Sequence, residues 1–204
     1  MALREIALRT WRFFDVHVTA EENMLPPDNF QESPWPVVAH RTSPTNIGLY
    51  MLSTVSAHDL GWIGSDEAVH RMQATLATLA KLPQVRGHLL NWYDTRSLAP
   101  LQPQYVSTVD SGNLAGHLIA VANACEMWKL QLATDPQRLR GLADHAAILS
   151  DIIKTTRTVH RDAKPAVKVI QADIKGLLAA IAEVNARPEQ AALRLIGILA
   201  QVKR

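Results

Sequence analysis

The residues with the most chemistry to offer lie between Asn91 and His117. Asn91-Trp92-Tyr93-Asp94-Thr95-Arg96 comes first, then a Pro-punctuated link, then Tyr105-Val106-Ser107-Thr108-Val109-Asp110-Ser111-Gly112-Asn113-Leu114-Ala115-Gly116-His117. Three aromatic rings, two carboxylates, an Arg, amides and hydroxyls fall in one stretch. Its apolar residues are too few to pack a strand and too irregular to pack a helix, which reads as a loop region. Such a loop is either a wet surface with one aromatic anchor or the wall of a polar site, and loops carry function more often than packing. Rings beside carboxylates and amides suit a sugar: its C–H face stacks on Trp or Tyr, and its hydroxyls need donors and acceptors fixed in direction.

Bulk properties narrow the field. The chain has 204 residues, 48% hydrophobic and 20% charged, with a formal net charge of +2. No basic run with interleaved aromatics marks a nucleic-acid surface. Cys125 is the single cysteine, which excludes an internal disulfide and a Cys-cluster metal site. The eight His residues show no ligand spacing, so neither a metal nor a cofactor is expected. No uncharged apolar run approaches the ~20 residues needed to span a bilayer, so the chain is expected to be soluble.

The elements that must position the loops read as helices. Ala2 to Val18 carries Leu3, Ile6, Ala7, Trp11, Phe14 and Val18 at helical spacing. Leu25-Pro26-Pro27-Asp28-Asn29-Phe30-Gln31 and Pro34-Trp35-Pro36 then form a loop rich in rings and polar groups. Ser43 reads as an N-cap with Pro44 at the first helical position, opening a helix to about His58 that is apolar nearly all round. Ser65 reads as the cap of a one-sided helix to about Leu82 with the stripe Val69, Met72, Leu76 and Leu79. Gly87–Arg96 and Leu101–Val109 suggest a short irregular hairpin. Asp110 or Ser111 caps a second helix of the buried kind, ending near Leu130. Three scaffold helices follow, at about Asp135–His160, Pro165–Asn185 and Pro188–Lys203. Alternating buried and one-sided helices fit an α/α toroid, with site residues at the N-termini of the inner helices. The expected organisation is residues 1–133 carrying the motif loops and 134–204 as a helical extension.

Five stretches together carry a resemblance: Thr10-Trp11-Arg12-Phe13-Phe14, Leu25 to Gln31, Ala39-His40-Arg41-Thr42-Ser43-Pro44-Thr45-Asn46-Ile47-Gly48-Leu49-Tyr50, Asn91 to Arg96 and Tyr105 to His117. In this order they resemble the middle, glucoamylase-like domain of bacterial cyclic β-1,2-glucan synthases, over about Leu3 to Trp128. The resemblance implies an all-α fold: an incomplete six-hairpin α/α toroid with a possible short β-hairpin. It implies a parent synthase at the bacterial inner membrane, on its cytoplasmic side, whose middle domain cyclises linear β-1,2-glucan by transglycosylation. The family's catalytic acids lie C-terminal to these motifs, so this chain corresponds to about half the toroid and its own catalytic residues stay unassigned. Partners would be a β-1,2-glucan chain, the remainder of the synthase and, across an open apolar flank, a second copy of the chain. A non-catalytic glucan-binding or scaffold module and an endo-β-1,2-glucanase-like hydrolase remain as alternatives.

Glycosidic chemistry uses two carboxyl groups, about 5–5.5 Å apart in retaining and 6.5–9.5 Å in inverting enzymes. Asp28, Asp94 and Asp110 are the carboxylates here, and each reads better as a contact to sugar hydroxyls than as an acid. Asp94 could instead pair with Arg96 or Arg41 to hold its loop. Asn29 and Gln31 flank Asp28. Arg41, Thr42 and Asn46 open the first buried helix, and Ser111 and Asn113 stand at the start of the second. Trp92 and Tyr93 are the stacking candidates, with a buried anchor as the other role open to one of them.

Overall fold

The computed structural model describes residues 2–130, 135–159 and 164–186. Its helices are α1 Ala2–His17, α2 Pro44–Asp59, α3 Ser65–Leu79, α4 Thr108–Leu130, α5 Asp135–Val159 and α6 Lys164–Ala186. The strands among the described residues are two-residue pieces in antiparallel pairs: β1 Phe30–Gln31 with β2 Val37–Val38, β3 Arg41–Thr42 with β6 Tyr93–Asp94, and β4 Gln84–Val85 with β5 His88–Leu89. The fold is therefore all-α with short strand pairs, and no ring of helices closes among the described residues. The last helix expected, Pro188–Lys203, lies outside them.

The hairpin expected between Gly87–Arg96 and Leu101–Val109 is irregular: the N–H groups of Asn91, Asp94 and Leu101 donate to the carbonyls of Tyr105, Ala99 and Trp92, each at 2.9 Å, without a continuous ladder. Tyr93 and Asp94 pair across the chain with Thr42 and Arg41, and the presumed second arm contributes one bridge, from Tyr93 to Pro100. Pro100 and Pro103 offer no N–H, so that arm cannot sustain a ladder.

The chain divides into two compact units, one drawn from Met1–Glu5, Leu60–Trp62 and Thr134–Arg204, the other from Ile6–Asp59 and Ile63–Ala133. In the first, α5 and α6 pack together. Leu139 meets Ile181 and Val184, while Ala146 and Ile153 meet Val167 and Ile174, so the two helices run antiparallel. Of the stripe expected on α5, Leu142, Leu149 and Ile152 stay partly exposed. Gly61, at φ 79°, lies so close to α5 that a Cβ on it would meet the Gln137 carbonyl oxygen at 2.2 Å. Arg4 donates to Asp144 at 2.6 Å and to the Leu60 carbonyl at 2.8 Å.

In the motif-bearing unit α2 is the centre. Ile47, Tyr50, Met51, Thr54 and Ala57 are buried along one side, whereas Leu52 and Val55 are half-buried and Leu49 is exposed, so a helix apolar nearly all round is only partly covered. Its start is capped as the sequence implies, the Asn46 N–H donating to Ser43 Oγ at 3.2 Å. Three expectations need correction. First, α4 matches α2 in composition but buries only part of its surface: Leu114 and Val121 are covered, whereas Ile119 is 65% and Met127 57% exposed. Secondly, α3 buries Ala68, Met72, Thr75 and Thr78, and Val69 and Leu76 face outward. Thr75 and Thr78 take the inner positions because their hydroxyls donate to the carbonyls of Met24 and Asn23, at 2.9 and 2.7 Å. Ser65 does not cap this helix; Gly64 precedes it, and Ser65 Oγ hydrogen-bonds His58 Nε2 at 3.0 Å. Thirdly, α1 turns Leu8, Trp11 and Val18 inward and leaves Leu3 and Ile6 in solvent, because Phe14 sits 5.5 Å from the Tyr50 ring and Arg71 lies over Trp11.

Helices α2 and α4 pack closely at Gly48, where a Cβ would lie 2.4 Å from His117 Nδ1 and 3.0 Å from His117 Cβ. Gly48→Ala gains about 1 kcal/mol in helix propensity and loses about 1–3 kcal/mol to overpacking. A net loss near 1 kcal/mol is expected, read as a Tm lowered by a few degrees. A raised Tm would show that the two helices can part there without penalty.

Candidate functional site

The site forms where three backbone segments reach the N-terminus of α2. Strand β3 delivers Arg41, the Pro26-Pro27 turn delivers Asp28, and the chain entering β6 delivers Trp92. Asp28 is the hub. Its Oδ2 accepts from Arg41 Nη2 at 2.9 Å, Arg41 Nε at 3.2 Å and Asn29 Nδ2 at 3.0 Å, and its Oδ1 accepts from Asn46 Nδ2 at 3.3 Å. The Arg41 guanidinium in turn lies 5.1 Å from the centre of the Trp92 ring. Such a pairing of planar cation and ring fixes both side chains. Both stay partly open to solvent.

Trp92 faces outward because its neighbour faces inward. Successive side chains in extended backbone point to opposite sides. Tyr93 is fully buried within the cluster of Leu25, Ile47, Leu82, Leu89, Leu90 and Leu114. Its hydroxyl donates to the Pro83 carbonyl at 2.6 Å and accepts from the Leu90 N–H at 2.7 Å, and burial pushes its pKa up. Of the two stacking candidates, Tyr93 has no surface to offer and is the anchor, which leaves Trp92 as the accessible ring.

A second group joins the N-termini of α2 and α4. Thr45 Oγ1 donates to Asp110 Oδ1 at 2.5 Å and accepts from Asn113 Nδ2 at 3.1 Å. Helix α4 begins earlier than the sequence suggested: Ser107 is its cap, receiving the Asp110 N–H at 3.1 Å. Asp110 is thus the third helical residue, and its carboxylate is free of the capping role. Ser111 lies inside the first turn, its N–H donating to the Ser107 carbonyl. Thr45 and Asn46 are consecutive, so the Asp28 and Asp110 groups stand side by side.

The remaining candidates stand outside these two groups. Asp94 Oδ1 accepts from the Ser97 N–H at 2.7 Å, Ser97 Oγ at 2.9 Å and the Arg96 N–H at 3.0 Å. The Ser97 N–H above all holds this carboxyl below its ordinary pKa. It closes its own turn, and Arg41 goes to Asp28 instead. Thr42 is buried, and Gln31 is exposed on β1. Arg96 reaches Glu22 Oε1 at 3.0 Å. Glu22, which sequence reasoning passed over, is a buried carboxylate that also accepts from Thr95 Oγ1 and lies 2.9 Å from His40 Nδ1. Its partners are far away in sequence, so no local spacing betrays it. The same holds for Thr45, whose partners lie on α4.

Among the described residues no group of three or more His, Cys, Asp or Glu could hold a metal ion. None of the described helices is long and apolar enough to cross a membrane.

Comparison with known proteins places this arrangement. The model of a family described as protein of unknown function (DUF3131) matches residues 5–117, which contain both groups just described. The chain belongs to the DUF3131 family. Over 197 residues it is 49% identical to the cyclic beta-(1,2)-glucan synthase NdvB of Rhizobium meliloti (strain 1021), a match that covers 96% of this chain. The resemblance carried by the five motifs therefore holds. The chain spans 7% of the length of that curated relative. The DUF3131 match ends at His117, just past Asn113, so every candidate site residue falls inside it.

Proposed function

We propose that this DUF3131 chain is the glucan-holding part of the domain that cyclises linear β-1,2-glucan by transglycosylation in a membrane-attached synthase. The observation that carries the reading is the Asp28–Arg41–Asn46–Trp92 cluster at the start of α2, in a chain similar to a cyclic beta-(1,2)-glucan synthase. Arg41 braces the Trp92 ring, which offers an apolar face to a pyranose. The amides of Asn29, Asn46 and Asn113 and the carboxylates of Asp28 and Asp110 present donors and acceptors of fixed direction to its hydroxyls.

Transfer needs one carboxyl group to protonate the leaving oxygen and another as nucleophile or base. Both oxygens of Asp28 accept hydrogen bonds, one from Asn46 and the other from Arg41 and Asn29. Asp94 is tied into its turn and Asp110 to Thr45. These carboxylates hold; the reacting acids come from elsewhere in the synthase, and the isolated chain binds without turnover.

The test is calorimetric titration with linear β-1,2-glucan beside a long-incubation product assay. The native chain is expected to bind, Trp92→Ala to bind about tenfold more weakly through the loss of one stacked ring, and neither to yield cyclic or shortened glucan. Absence of binding overturns the reading. Product that disappears in Trp92→Ala moves the acid chemistry onto Asp28, Asp94 or Asp110, and shortened linear product would favour a hydrolase.

A further inference from the structure

The hairpin of β1 and β2 grows directly out of the site. Its register pairs Phe30 with Val38 and Gln31 with Val37, and below that the Asp28 N–H donates to the Ala39 carbonyl at 3.3 Å and the Ala39 N–H to the Asn29 carbonyl at 3.0 Å. One arm therefore leaves from Asp28, and the other returns to Arg41, its ion-pair partner. At the tip stands Trp35, 66% exposed between Pro34 and Pro36. A Trp ring this open is unusual, since on average the residue is highly buried. The prolines fix φ on either side, which limits the freedom of the tip and holds the ring out.

We infer that Trp35 is a second stacking site for the same glucan, taking a glucose unit further along the chain from the one held at Asp28, Arg41 and Trp92. This rests on the glucan reading above and extends it to a subsite. Three observations support a sugar over a protein surface at the tip. The side chains around Trp35 are polar and exposed: Asn29, Gln31, Glu32 and Ser33. Phe30 packs against His17, ring centroids 5.1 Å apart, which ties the base of the hairpin to α1; Trp35, Val37 and part of Phe30 are its open apolar groups. That is far short of the roughly 800 Å² per partner of a standard protein interface, whereas one ring ringed by amides and carboxylate is what a pyranose needs. From Asp28 to Gln31 the strand rises roughly 10 Å, which carries the hairpin tip away from the Asp28 group by more than the length of one sugar.

The experiment is titration of the native chain, Trp35→Ala and Trp92→Ala with a length series of linear β-1,2-glucans from the disaccharide upward. Trp35→Ala should match the native chain on the shortest members that bind and fall about tenfold behind on long ones, with an unchanged thermal melt. Trp92→Ala should weaken every length. Equal affinity of Trp35→Ala and the native chain for long glucan, with Trp92→Ala still weak, overturns the subsite and leaves the glucan reading standing. That is also the result a protein-docking tip would give. Equal weakening of Trp35→Ala at every length overturns it too, because a distant subsite cannot act on a short ligand. Failure of the native chain to bind any length removes both readings together.

Discussion

Tyr93→Ala is expected to lower the unfolding free energy by about 3–5 kcal/mol, the range for deleting a buried aromatic ring. The ring is 0% exposed and packs among Leu25, Ile47, Leu82, Leu89, Leu90 and Leu114, so its removal opens a cavity where β6, α2 and α4 meet. The truncation also strips two backbone groups of their partner, the Pro83 carbonyl and the Leu90 N–H. Tyr93→Phe isolates that second part. It keeps the packing and should lose about 1–3 kcal/mol, the penalty for leaving a buried polar group unsatisfied. Thermal or denaturant unfolding of the two variants beside the native chain separates cavity from hydrogen bonds. If Tyr93→Ala melted with the native protein, the hydrophobic cluster would not be what holds this loop. Function provides a cross-check: Tyr93→Phe should leave glucan affinity unchanged, and Trp92→Ala should reduce affinity with little effect on stability. Two adjacent rings, one facing in and one out, would then show separate duties.

That division was half legible in the sequence. Trp92 and Tyr93 both read as candidate stacking rings, and nothing in a two-residue extended segment says which one faces in. Long periodic patterns were readable, because a helix needs only its own residues to declare a face: α1, α2, α4, α5 and α6 begin and end within about three residues of expectation. The faces themselves were less so. On α3 the apolar stripe lost to Thr75 and Thr78, whose hydroxyls satisfy carbonyls of the turn at Asn23 and Met24, and that turn is invisible from α3 alone. On α4 composition predicted burial, yet Ile119 and Met127 stay exposed, because composition does not say how many neighbours a helix will have. The site follows the same rule. Asp28, Arg41, Asn46 and Trp92 were named from residue type, but that Trp92 meets Arg41 depended on β3 pairing with β6, a contact between segments far apart in sequence.

Glu22 is the extreme case, and it carries the last expected effect. Its carboxylate accepts from Thr95 Oγ1 and from Arg96 Nε at 3.0 Å and lies 2.9 Å from His40 Nδ1. Next to it, Asn23 Nδ2 donates to the carbonyls of Thr95 and Arg96, at 2.8 and 2.9 Å. Together they fasten the turn after α1 to the segment that carries Trp92 and Tyr93. Glu22→Ala leaves the Thr95 hydroxyl and the half-exposed Arg96 without their acceptor and should lose about 1–3 kcal/mol, the penalty for a buried polar group left unpaired. Glu22→Gln keeps the shape and should lose less. The pH dependence has a definite sign. Burial raises the Glu22 pKa, but the hydrogen bonds from Thr95, Arg96 and His40 outweigh it, and the net shift is downward. A carboxyl whose folded pKa lies below its unfolded value, about 4.3, contributes stability that is present above that value and lost as pH falls through the folded pKa. The stability gap between the native chain and Glu22→Gln should therefore be full at pH 7 and should shrink below about pH 4.3. Denaturant unfolding of both proteins across that range checks it, the variant cancelling the contribution of every other carboxylate. A gap that stayed constant into acid would mean that Glu22 acts through its shape and not through its charge, and the hold of Arg96 and His40 on the Trp92 loop would need another source.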